Sequence, residues 1–195
     1  MSVAASAPTL GDAPLWYLSR STGIVSFVLM TVAFALGIAA TQRALASPSW
    51  PRFATQNLHR NVSLLGLVFL LVHIVTTISD GYVNISWWNV VVPGLSHYRG
   101  LWVALGTIAF DVLLAVILSS LVRLRLNASA WRWLHLTVYA AWPLAWLHFL
   151  KTGTDAAHGR FGLWIALVSA AVIGAAAGAR TTLRDIPAPV RSVVR

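Results

Sequence analysis

The sequence predicts an all-α membrane protein, a five-helix transmembrane bundle with its N-terminus outside and its C-terminus in the cytoplasm. Three observations predict it. The 195 residues are 58% hydrophobic and only 10% charged, too few for the surface of a soluble domain, which needs roughly 25%. Five apolar runs each approach the ~20 residues that cross a ~30 Å hydrocarbon core. The positive charges gather in alternate loops between those runs.

Residues 1–14 form a short polar segment. No basic residue precedes the first apolar run, so the charged start of a signal peptide is missing. Ala44-Leu45-Ala46 resembles a cleavage site, but Arg43 stands before it and the preceding run is long, so an uncleaved span is expected. The spans fall at about 15–40, 57–79, 101–122, 131–150 and 161–179. Helix is the expected state of each, because an open strand would leave backbone groups unpaired in lipid. Segment 80–99 is the longest loop, and Val83 to Leu95 is expected to lie along the membrane interface. Residues 181–195, with Pro187 and Pro189, form a basic cytoplasmic tail suited to anionic lipid. Gly174-x-x-x-Gly178 in the fifth span is a close-packing motif.

The net charge of +9 comes from 13 Arg and one Lys against five Asp and no Glu. Arg43, Arg52, Arg60, Arg123, Arg125, Arg132, Arg180, Arg184, Arg191 and Arg195 share one side of a five-helix arrangement. The positive-inside rule makes that side cytoplasmic. Topology therefore explains the charge, and no nucleic-acid partner is expected. Trp16, Tyr17, Trp87, Trp88, Tyr98, Trp102, Trp131, Trp133 and Trp164 lie near span ends, as an aromatic belt does.

Four histidines fall inside the spans. His59 and His73 are 14 residues apart, His135 and His148 13 apart. One intramembrane histidine is explained by an interhelical hydrogen bond, but four in paired spacing point to metal ligation. Fourteen residues of helix rise about 21 Å and return within roughly 40° of the starting face. The second and fourth spans run parallel, so His59 pairs in depth with His135, and His73 with His148. Two opposed imidazoles suit haem iron, leaving it six-coordinate and fitted to electron transfer. The chain has no cysteine, which excludes thioether-linked haem and thiolate-held clusters within it. Thirteen residues, however, turn about 220°, so a distortion around Ala140–Pro143 is expected to bring His135 and His148 to one side. Gly66 either clears space for a flat ring or is an ordinary packing residue, and Trp142 and Phe69 either stand between the two sites or simply pack. Arg20, Arg60 and Arg132 are candidates for haem propionates. Asp111, in mid-span, is either a hydrogen-bond acceptor for a ligand imidazole, a proton carrier or a partner of a nearby hydroxyl. His97 and His158 fall in loops and are expected to be solvated.

These histidine spacings, with Trp16-Tyr17-Leu18-Ser19-Arg20-Ser21-Thr22-Gly23, His59-Arg60-Asn61-Val62-Ser63-Leu64-Leu65 and Trp131-Arg132-x-x-His135, resemble the ferric reductase-like transmembrane domain. That superfamily includes the membrane cores of NADPH oxidases and the haem-binding subunit of the bacterial methionine sulfoxide reductase system. The resemblance covers about residues 15–180. It implies two non-covalent haem b groups on His59, His73, His135 and His148, and electron transfer across an integral, multi-pass plasma-membrane domain. Oxidases carry a flavin and nicotinamide domain after this core, and residues 181–195 are too few for one. The expected donor and acceptor are therefore separate proteins or a quinol, with flavin only through a partner protein. Two other readings stay open: a metal or proton transporter using the histidines and Asp111, and a non-catalytic membrane anchor subunit.

Overall fold

The computed structural model describes residues 13–41, 52–80, 83, 85–153 and 160–184. The regular structure among the described residues is helical, with no strand. In chain order the helices are α1 (Ala13–Ala40), α2 (Arg52–Ser79), α3 (Trp88–Val91), α4 (Gly100–Leu121), α5 (Ala128–Leu136), α6 (Val138–Thr152) and α7 (Arg160–Arg184). Among the described residues, four stretches are each long and apolar enough to cross a membrane alone: Pro14–Ala40, Phe53–Ser79, Gly100–Leu121 and Phe161–Thr181. This is a multi-pass membrane chain. The expected fourth span, 131–150, is built differently. It is divided between α5 and α6, which meet at Thr137.

The apolar helices carry many hydroxyls, and each must find an acceptor without water. They bond back to carbonyls three or four residues earlier, as in Thr31 to Phe27, Thr76 to Val72 and Ser120 to Val116. This is the usual fate of Ser and Thr inside helices.

Two helix pairs dominate the packing: α1 with α2, and α4 with the α5–α6 segment. Helices α6 and α7 lay the second pair and the last helix against α1. Aromatic rings fill that junction. Phe27 stacks on Phe149 at 4.6 Å, Trp142 lies 6.4 Å from Phe27 and 6.2 Å from Phe34, and Phe34 meets Tyr139 at 5.0 Å. The Trp142 indole N–H donates to the Thr31 hydroxyl at 3.1 Å. Trp142 is thus buried in this junction.

The segment before α4 is more than an interfacial strap. Asn89 in α3 is buried, and its carbonyl accepts from the Thr107 hydroxyl at 2.7 Å. Arg99 adopts a left-handed conformation (φ 44°) at the start of α4 and donates to the Lys151 carbonyl, tying that end to the end of α6. Trp87, Trp88, Trp133, Trp164 and Tyr17 are all more than 60% exposed, as residues of an aromatic belt would be. Gly174 and Gly178 have nothing near them that an added methyl group would touch, so their motif does not mark a close contact among the described residues.

Candidate functional site

The four intramembrane histidines face each other in two pairs. The His59 and His135 rings have centroids 6.3 Å apart, with planes at 70°. His73 and His148 line one cavity of about 290 Å³, together with Arg20, Phe27 and Phe149.

Three of the four rings are held alike. Nδ1 of His59 donates to the Ala33 carbonyl at 2.7 Å, Nδ1 of His73 to the Ser19 carbonyl at 2.8 Å, and Nδ1 of His148 to the Trp102 carbonyl at 2.8 Å. A carbonyl only accepts, so the proton sits on Nδ1 and the Nε2 lone pair is the one available to a metal. The helical carbonyl is reachable because a glycine follows four residues later. A Cβ built on Gly23 would stand 2.8 Å from the His73 ring, one on Gly37 3.3 Å from His59, and one on Gly106 2.5 Å from His148. Each of these histidines is also followed, four residues on, by a hydroxyl bonded to its own carbonyl: Ser63, Thr77 and Thr152.

The glycines were the signal missed in the sequence. Gly23 and Gly37 are 14 apart, matching His59 and His73 on the antiparallel neighbour. Of the two roles open to it, Gly66 takes the packing one, against α1. An added Cβ there would meet Leu29 at 3.4 Å, and its carbonyl accepts from Ser26.

The break in the fourth span lies at Thr137, not around Ala140–Pro143. Helix α6 runs on through Pro143. Around Thr137 the backbone tightens into i to i−3 bonds, Thr137 N–H to Leu134 and Ala140 N–H to Thr137. Such turns advance about 120° and 2.0 Å per residue instead of 100° and 1.5 Å. Each tightened residue therefore over-rotates by about 20°, in the direction that turns His135 and His148 toward one side of the segment.

Arg20 lines the cavity and lays its guanidinium 4.5 Å over the Trp16 ring. Arg60 and Arg132 are exposed. His97 is exposed as expected, whereas His158 lies outside the described residues. Asp111 does not reach an imidazole, since three rings are taken by backbone carbonyls and Nδ1 of His135 has no partner. Asp111 stands half-buried on α4 near the exposed Ile108 and Leu118. Among the described residues no group of three His, Cys, Asp or Glu could hold a metal ion, so what the chain offers is opposed pairs.

No curated protein matches the chain, and no solved structure does. The family model described as "Ferric reductase like transmembrane component" matches residues 22–146. That match includes His59, His73 and His135 and stops two residues before His148. It spans well over half of the sequence, and so the chain belongs to the ferric reductase-like transmembrane family.

Proposed function

We propose that the chain is a b-type di-haem cytochrome, with residues 15–180 as the haem domain and 181–195 as a cytoplasmic tail. In this reading it passes electrons across the plasma membrane between a separate donor, a quinol or a reductase, and an acceptor on the outer face. Family membership supports the coarser reading, a membrane electron-transfer component. The observation that carries the finer one is the 6.3 Å between the His59 and His135 centroids. Two metal–nitrogen bonds of roughly 2.0–2.1 Å, plus about 1.1 Å from each nitrogen to its ring centre, require about 6.3 Å. The donor set fits as well. A porphyrin supplies four iron ligands and takes one imidazole on each face.

His59 and His135 would hold one haem, His73 and His148 the other. Bound there, the group supplies a one-electron Fe(III)/Fe(II) couple. The chain's own residues do the rest. The carbonyls of Ala33, Ser19 and Trp102 fix three rings in one tautomer and keep their Nε2 atoms aimed inward. With both imidazoles of a pair engaged, a haem held there would have no position left for a small molecule. Arg20, in the cavity wall, would meet a propionate of the His73/His148 haem, and Arg60 and Arg132 would do the same at the other.

Absorption spectra of the purified protein, oxidised and then dithionite-reduced, test the proposal. Two haems per chain and a sharp α band are expected. His73→Ala or His148→Ala should each remove one of the two. A protein that takes up fewer than two haems would overturn the reading.

A further inference from the structure

The two helix pairs repeat one another, and the repeat fails at a single corner. The carbonyl and glycine positions of α1 recur on α4 at a constant offset of 83 residues. Ser19 corresponds to Trp102, Gly23 to Gly106, Ala33 to Val116 and Gly37 to Ser120. Three of these four sets grip a histidine. The fourth, Val116 with Ser120, does not. The Ser120 hydroxyl bonds the Val116 carbonyl at 2.7 Å and the Ser119 hydroxyl bonds it at 3.0 Å. A serine side chain stands where the other three sets have the clearance of glycine.

His135 differs accordingly. Its Nδ1 is buried and has no hydrogen-bond partner. The residue four positions later is Tyr139, without the back-bonded hydroxyl of the other three. The ring rests instead on Trp131, stacked at 5.0 Å and 29°, and the Trp131 indole N–H is anchored to Ser120 at 3.3 Å. Whichever ring nitrogen meets a metal, no carbonyl holds the other one.

A hydrogen bond from the distal N–H makes an imidazole a more basic ligand, which favours the oxidised metal. We infer that Ser120 makes His135 the weakest of the four axial ligands, so that a haem on the His59/His135 pair has a higher reduction potential than one on the His73/His148 pair. This rests on the di-haem reading above. A single electron shared between haems held at these two pairs would favour the His59/His135 side. Ser120 is a positioning residue here, acting through the backbone it occupies.

Redox titration of the purified two-haem protein, followed at the α band, tests it. The wild-type protein should titrate in two components, and His135→Ala should remove the higher one. Ser120→Gly, which restores the glycine of the other three sets, should lower the higher midpoint toward the other and leave the lower one in place. Trp131→Phe, which keeps an aromatic ring beside His135 but removes the N–H that reaches Ser120, should shift the higher midpoint less than Ser120→Gly does. Loss of the lower component in His135→Ala overturns the inference. So does an unmoved or raised midpoint in Ser120→Gly, or an equal shift in Trp131→Phe. None of these outcomes touches the di-haem reading, which fails only if the wild-type protein lacks two haems.

Discussion

Gly106→Ala is the substitution whose effect follows most directly from the structure. The added methyl would sit 2.5, 2.7 and 2.9 Å from three atoms of the His148 ring. Carbon contacts settle near 3.5–4.0 Å, so the ring must retreat by about 1 Å. The Nδ1 bond to the Trp102 carbonyl starts at 2.8 Å, and that retreat breaks it. An unsatisfied buried donor costs about 1–3 kcal/mol and overpacking a similar amount. Alanine's helix preference over glycine returns about 1 kcal/mol. The net loss is roughly 1–5 kcal/mol, concentrated on one ligand. Gly37→Ala meets its ring at 3.3 Å and should be nearly neutral, and Gly174→Ala meets nothing. The assay is thermal unfolding in detergent beside haem content. Gly106→Ala should melt below Gly37→Ala and Gly174→Ala and lose up to one haem per chain. If it melts with Gly174→Ala and keeps both haems, the glycine does not hold the histidine's place.

Two further outcomes are expected. Trp142→Phe removes the indole N–H that reaches Thr31 and shrinks the buried ring against Phe27 and Phe34; it should cost about 1–3 kcal/mol, read as a lower midpoint of thermal unfolding with haem content unchanged. Because the chain has no cysteine, single cysteines report topology cleanly. One at Leu124, 93% exposed beside Arg123 and Arg125, should be shielded from a membrane-impermeant maleimide in intact cells, and one at Leu95 should be labelled. The reverse pattern would invert the orientation.

Each membrane helix was legible because it depends on nearby residues alone. Apolar runs of about 20 residues have one stable state in lipid, and the 14-residue interval of His59 and His73 matches the helical repeat to within roughly 40°. The 13-residue interval of His135 and His148 signalled a distortion but misdirected its location. Proline is the obvious cause of a broken helix, yet Pro143 sits inside a continuous α6, and the tightened backbone is six residues earlier, at Thr137. Gly66 takes the packing role that the sequence left open beside the clearance for a ring. A glycine advertises clearance, but the sequence does not say for what.

The apolar content, the five runs and the paired imidazole spacing are properties of the chain read in order, and they alone determined an all-helical membrane protein with two opposed histidine pairs. Which carbonyl each imidazole meets was decided only when α1 settled against α2 and α4 against α5 and α6. That choice depends on the register of one helix along another, set by side chains dozens of residues away. Gly23, Gly37 and Gly106 therefore look ordinary in the sequence and become sockets for rings in the structure. Ser120 looks equally ordinary, and leaves His135 the one imidazole of the four that no carbonyl holds.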